Sequence, residues 1–182
     1  NAFRIWNVNG QNNMFTIDGG EIANVQYGIH SLSRSLIVKD VQIYGADFGL
    51  TLLFCPGSLI QNNLIRFSQY GLQILWSPFI MVNGNNIGQN QQLQGKIGIS
   101  LLKSGNSDIT NNHNIEATEV GVRLYQSPTT TVSHNIINIF GNNNQYGGGV
   151  QLSGSSKCIV AENYFDINQS SFGIETVAST ES

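Results

Sequence analysis

Residues 121–137 read GVRLYQSPTTTVSHNII, and residues 71–87 read GLQILWSPFIMVNGNNI. Each runs Gly, aliphatic, polar, aliphatic, then Ser-Pro, a run of mostly β-branched or aliphatic residues, and an Asn two residues before an Ile. A unit written twice points to a repeat architecture, and its period decides which one.

The Gly-aliphatic pair recurs at Gly28-Ile29, Gly49-Leu50, Gly71-Leu72, Gly98-Ile99, Gly121-Val122, Gly149-Val150 and Gly173-Ile174, at intervals of 21, 22, 27, 23, 28 and 24 residues. A second marker keeps step: Asn63, Asn85, Asn112, Asn135 and Asn163 each follow their Gly by fourteen residues. Within a unit the apolar residues alternate, as in Val122, Leu124 and Val132, which is the period of strands. The units are too short for a strand plus a helix, Gly, Asn and Ser punctuate the turns, and the dense Leu framework of leucine-rich repeats is missing. The spacing therefore predicts an all-β, single-stranded parallel β-helix of about seven coils of about 22 residues, each stacked on the last at ~4.8 Å. Residues 1–182 form one such domain. Neither end carries a capping pattern, so the chain is expected to be a segment of a longer protein or to be covered by neighbouring chains.

Units such as GISLLKSGNSDITNNHNI (98–115) and GVQLSGSSKCIVAENYF (149–165) resemble the repeats of right-handed parallel β-helix proteins of the pectate-lyase-like superfamily. The likeness spans roughly residues 15–177. It implies the architecture and leaves the activity open, because that superfamily includes lyases, glycoside hydrolases, epimerases, phage tailspikes and inert scaffolds.

Composition excludes several classes. The chain has 8 Lys+Arg against 11 Asp+Glu, a net charge of -3, and only 10% charged residues, so it carries no footprint for nucleic acid or an anionic membrane surface. No apolar run approaches the ~18 residues of a membrane span. The opening NAFRIWNVNG lacks the build of a signal peptide, so the sequence shows no localisation signal. The resemblance implies an extracellular or virion setting.

Stacked coils place like on like. The file of Asn63, Asn85, Asn112, Asn135 and Asn163 is read as an inward ladder of amides, structural in role. Cys55 and Cys158 fall four coils apart, about 19 Å along the axis, beyond disulfide reach, and are read as free thiols.

Candidate functional residues lie on the outer face. Outward positions of the Gly-aliphatic strand give a polar column (His30, Thr51, Gln73, Ser100, Arg123, Gln151, Glu175) and an apolar one (Leu32, Leu53, Leu75, Leu102, Tyr125, Ser153, Val177), with Phe54 and Trp76 beside the second. An outward apolar file has three readings: a strand that bends its fourth residue back into the core, burial in an oligomer, or a platform on which Phe54, Trp76 and Tyr125 stack against sugar rings. Arg123 and Glu175, at ~10 Å separation with Gln151 between them, are expected to meet only across a ligand. The links after Ile87 and Ile137 are longer than the others (IGQNQQLQGK and INIFGNNNQYGG) and leave at one corner, as binding loops of a solenoid do.

For catalysis, sugar-cleaving β-helices need convergent carboxylates or a carboxylate-held Ca²⁺ with a base. The eleven acids do not cluster by position. The polygalacturonase-type signatures and the Asp-Pro-His-Glu signature of alginate epimerases, which the resemblance would suggest, are absent. One pair stands out: His134 and Glu162 occupy equivalent positions in adjacent coils, with Asn111 one coil earlier, the arrangement of an oriented general base or of an ordinary surface pair. No cofactor is expected; Ca²⁺ would need a carboxylate cluster that is not seen, and the scattered His and Cys give no zinc or other metal set. The sequon Asn168-Gln169-Ser170 carries little weight in an Asn-rich chain.

Three function classes remain, with polysaccharide or a cell-surface glycan as the partner. The preferred reading is the glycan-binding body of a phage tailspike or tail-fibre-like receptor-binding protein, a homotrimer or stack of neighbouring chains. Its rival is a secreted polysaccharide lyase, hydrolase or epimerase-like enzyme, and the third class is a structural or adhesive rod. The enzyme question stays open on sequence.

Overall fold

A computed structural model of the chain describes residues 3–5, 14–32, 35–89, 95–140, 147–168 and 172–177. It is a right-handed parallel β-helix, with twenty strands and no helix among the described residues. Each coil contributes up to three strands. The first face carries the Gly-aliphatic marker in Tyr27–Leu32, Ile97–Leu102, Val120–Tyr125, Gly148–Ser153 and Phe172–Val177. The second face stacks Phe15–Asp18, Leu36–Lys39, Leu59–Gln61, Met81–Asn83, Asp108–Thr110, Thr131–Ser133 and Ile159–Ala161, seven rungs and hence six full turns. The third face includes Glu21–Ala23, Asn86–Gln89, Asn114–Ala117, Ile136–Phe140 and Tyr164–Asn168. Where the link is short, the third and first faces run together as one long strand, Gln42–Leu53 and Leu64–Leu75.

The register follows the two sequence markers. Leu50, Leu72, Ile99, Val122, Val150 and Ile174 pair one above another, as do Leu52, Ile74, Leu101, Leu124 and Leu152. From Leu50 to Val150 these side chains are fully buried, and each contributes about 1.5–3 kcal/mol of burial. The marker Gly is set by a close approach. A Cβ at Gly98 would lie 2.5 Å from Ile115 Cγ2 and 2.7 Å from the carbonyl oxygen of Gly121, and Gly49, Gly71 and Gly121 are crowded in the same way by Ile65, Ile87 and Ile137. The Ile of the third face fills the space that a side chain on the first would need.

The Asn file is an inward ladder, as its spacing predicts. Asn63, Asn85, Asn112 and Asn135 are nearly inaccessible. Each Nδ2 donates to the next Oδ1 at 2.8–3.0 Å. The backbone N–H of each also donates to that Oδ1, at 2.9–3.0 Å. The second Nδ2 hydrogen goes back to a carbonyl of the preceding coil, for example Asn85 to Ile60.

A second ladder escaped the sequence reading. Cys55, Ser77, Ser104 and Ser127 donate their backbone N–H groups to the hydroxyls of Ser77, Ser104, Ser127 and Ser155, all at 2.9–3.0 Å. Its trace in the sequence is the repeated Ser-Pro, Ser77-Pro78 and Ser127-Pro128. Both cysteines are free, Cys55 inside this ladder and Cys158 half-buried at another corner.

Three columns of left-handed residues turn the coil. Phe54, Trp76, Lys103 and Gln126 have φ between 46° and 54°. Phe79, Asn106, Thr129 and Lys157 form the second column, and Asp40, Asn62, Asn111, His134 and Glu162 the third. Such a conformation costs a non-Gly residue about 1–2 kcal/mol. It is held here by inter-coil hydrogen bonds such as Trp76 N–H to Leu102 O, 2.8 Å.

Candidate functional site

The second and fourth residues after the marker Gly point outward on the first face, most of them half-buried and Thr51 buried. His30, Thr51, Gln73, Ser100, Arg123, Gln151 and Glu175 pair in register, and so do Leu32, Leu53, Leu75, Leu102, Tyr125, Ser153 and Val177. The fourth residue does not turn back into the core. The strand continues through it and bends only at the left-handed fifth, so Leu53, Leu75 and Leu102 remain outward and half-buried by their own file, and Tyr125 is 46% exposed.

At that bend Phe54 and Trp76 stack, with ring centroids 5.6 Å apart, and are 49% and 41% exposed. Phe79 and Met81 extend the exposed apolar edge to the next corner. Toward the other end of the face the column becomes charged. Arg123 Nε donates to Gln151 Oε1 at 2.8 Å, and Gln151 Nε2 donates to Glu175 Oε2 at 2.7 Å. This corrects the expectation that Arg123 and Glu175 meet only across a ligand: the amide of Gln151 is long enough to link them.

The opposite border of the face receives the two long links. Both run from the third face to the first, after Asn86–Gln89 and after Ile136–Phe140, at one corner as expected. Residues 90–94 and 141–146 lie outside the described residues, as do Gln169 and Ser170 of the sequon.

His134 and Glu162 do come together. The His134 Nε2 and Glu162 Oε2 atoms are in contact on the exposed third corner, each residue left-handed, with the His134 backbone N–H bonded to Ala161 O at 3.3 Å. Asn111 lies one rung away, its N–H on Ser133 O. The pair sits between the second and third faces, away from the aromatic edge and the Arg123 file. The sequence reading missed another charged contact, Arg66 Nη1 to Glu116 Oε2, 3.9 Å across the rung of Gly88, where a side chain would collide with the guanidinium.

The fold is that of a parallel β-helix protein. The chain belongs to the NosD family, whose model, described as "Periplasmic copper-binding protein (NosD)", matches residues 1–181. No curated protein matches it significantly. Among solved structures it is similar to the periplasmic alginate epimerase AlgG, with a TM-score of 0.62 and 19% identity over 98% of this chain and 47% of that one. A single-substitution mutant of the same epimerase matches with a TM-score of 0.51 and 17% identity over 91% and 46%. At such identities the likeness shows the fold, and this chain spans about half the length of those structures.

The family description raises copper, and the side chains test it. All three His, both Cys and both Met fall in the described residues. No three of the His, Cys, Asp and Glu described come together. His30 is on the first face and His134 on the third corner, and Cys55 points its sulfur at the carbonyls of Ser31 and Leu53 inside the core. Copper sites are built from converging imidazoles and sulfurs, and the described imidazoles and thiols form no such group with each other or with the described carboxylates.

Proposed function

We propose that this chain is the polysaccharide-engaging part of a periplasmic or secreted β-helix protein, with the sugar chain lying along the first face. One observation carries the reading: an outward strip in which hydroxyl, amide and charged side chains run beside a mostly apolar file, with the stacked Phe54 and Trp76 alongside its Leu53 and Leu75. Amides and hydroxyls match sugar hydroxyls, and aromatic or aliphatic surface matches the C–H faces of sugar rings. The Arg123–Gln151–Glu175 file supplies directional polar contacts. The NosD and alginate-epimerase likenesses support this setting over that of a phage tailspike.

The test is affinity electrophoresis and calorimetry with a panel of neutral and uronate-containing polysaccharides. The expected result is binding of at least one, weakened about tenfold by Trp76→Ala and by Arg123→Ala. No binding across the panel, or binding indifferent to both substitutions, overturns the reading. Parallel assays for reducing ends, unsaturated uronates and C5 epimerisation separate a binder from an enzyme.

A further inference from the structure

The bend from the first face to the second is taken over two left-handed corners, and one end of it is apolar. Phe54 and Trp76 stand on the first corner and Phe79 on the second, 49%, 41% and 61% exposed, and Met81, 51% exposed, opens the second face beside them. In the other coils the same two corners carry Gly57, Lys103, Asn106, Gln126, Thr129 and Lys157, all of them Gly or polar. Three large apolar side chains thus combine a left-handed backbone with exposure to water, the pattern of a surface that something else covers.

The same bend is free of acids. Residues 54–58, 76–80, 103–107, 126–130 and 154–158 contain no Asp or Glu, and they include Lys157 and Lys103, the latter one rung on from Trp76. Lys39 and Arg66 are paired with Asp18 and Glu116, whereas neither Lys103 nor Lys157 meets an acid among the described residues. Asp108, in register with Met81, marks where the second face begins. Summed over the chain, a net charge of -3 gives no sign of an anionic partner. The coil gathers the sign onto one edge.

We propose that this bend docks on an anionic lipid bilayer. Phe54, Trp76, Phe79 and Met81 enter the boundary between headgroups and acyl chains, and Lys103 and Lys157 lie at the level of the lipid phosphates. Shape decides the kind of partner. The bend is the convex outer edge of the coil, about 19 Å long over five coils at the strand rise. It encloses no small ligand, which needs a concave site, whereas a fluid bilayer accommodates a convex ridge. The proposal goes beyond the polysaccharide reading: with the bend on the lipid, the first face stands at the membrane surface. Phe54 and Trp76 border both surfaces, so Phe79 and Met81, which lie off the first face, separate the two.

The experiment is flotation of the whole chain with vesicles of phosphatidylcholine alone and of phosphatidylcholine with about one third phosphatidylglycerol. The chain is expected to float with the mixed vesicles, far better than with phosphatidylcholine alone, and to be released as salt is raised. Phe79→Ser, Met81→Ser and Lys103→Gln should each weaken binding about fivefold, while Tyr164→Ser, at an exposed aromatic of the third face, should change nothing. Trp6 is the other tryptophan of the chain. In Trp6→Phe with wild-type melting, Trp76 emission should shift to the blue on binding and be quenched by brominated acyl chains. No flotation, flotation without that shift, indifference to both Phe79→Ser and Lys103→Gln, or an equal loss with Tyr164→Ser overturns the proposal. So does self-association that Phe79→Ser abolishes while vesicles stay unbound, which would make the bend a contact between copies. Vesicle binding without polysaccharide binding leaves the bend standing and removes the polysaccharide reading; polysaccharide binding without vesicle binding does the reverse.

Discussion

Asn112 and Asn135 are joined side chain to side chain, Nδ2 to Oδ1 at 2.8 Å, while the Asn112 backbone N–H reaches the same oxygen at 3.0 Å. Both amides are buried, out of reach of bulk solvent. Asn112→Ala would strand the backbone N–H of Asn85, take one acceptor from its Nδ2 and remove the donor to the carbonyl of Val82. We expect a loss of about 3 kcal/mol or more in chemical denaturation. Asn163→Ala, at the less buried end of the file, should cost about 1 kcal/mol.

Gly98→Ala drives a methyl group into Ile115 and the backbone of Gly121, whereas a methyl group at Gly173 meets nothing within 4 Å. The first should lower stability by about 2–3 kcal/mol and the second should stay within about 1 kcal/mol of wild type, measured by denaturant midpoint.

Cys55 stands where the other coils place Ser77, Ser104, Ser127 and Ser155. Cys55→Ser should therefore be tolerated within about 1 kcal/mol. With a thiol reagent the native protein should react at half-buried Cys158, and at Cys55 only once unfolded.

Because burial, and next the charge of Arg4, hold His30 below its ordinary 6.5 in the folded protein, the native state binds fewer protons than the unfolded chain near that pH. The contribution is present above pH 6.5 and is lost as pH falls through the folded value. Melting temperature should therefore step down on acidification in wild type, with a smaller step in His30→Gln.

His134 and Glu162 form an exposed pair on a left-handed corner where the coil of Gly71 has Gly84. His134→Gly relieves backbone strain and loses a weak surface contact, so stability should move by less than about 1 kcal/mol. Polysaccharide affinity should not change, because the corner is off the first face. A loss of turnover in the reducing-end or uronate assays with affinity intact would give the pair the catalytic role that its spacing allows.

The repeat dictated what is periodic. Gly98, Ile115 and Asn112 could be placed in the coil from spacing alone, because each has an equivalent one turn away and backbone pairing forces equivalents into register. The depth of the Asn file, the separation of the cysteines and the outward polar and apolar columns all followed. The corners did not: Phe54, Trp76 and Thr129 take a conformation usual for Gly, enforced only by the coil above.

What the sequence by itself determined, then, is the vertical neighbour of nearly every residue, since parallel pairing at a fixed rise leaves no other choice. What only the tertiary structure decided is the lateral and side-chain geometry. Arg123 reaches Glu175 through Gln151 because side-chain length spans a rung, and Trp76, Phe79 and Lys103 share one ridge because the chain turns twice between its first and second faces. Those contacts depend on rotamers and on where the chain turns, and neither has a period that a sequence can display.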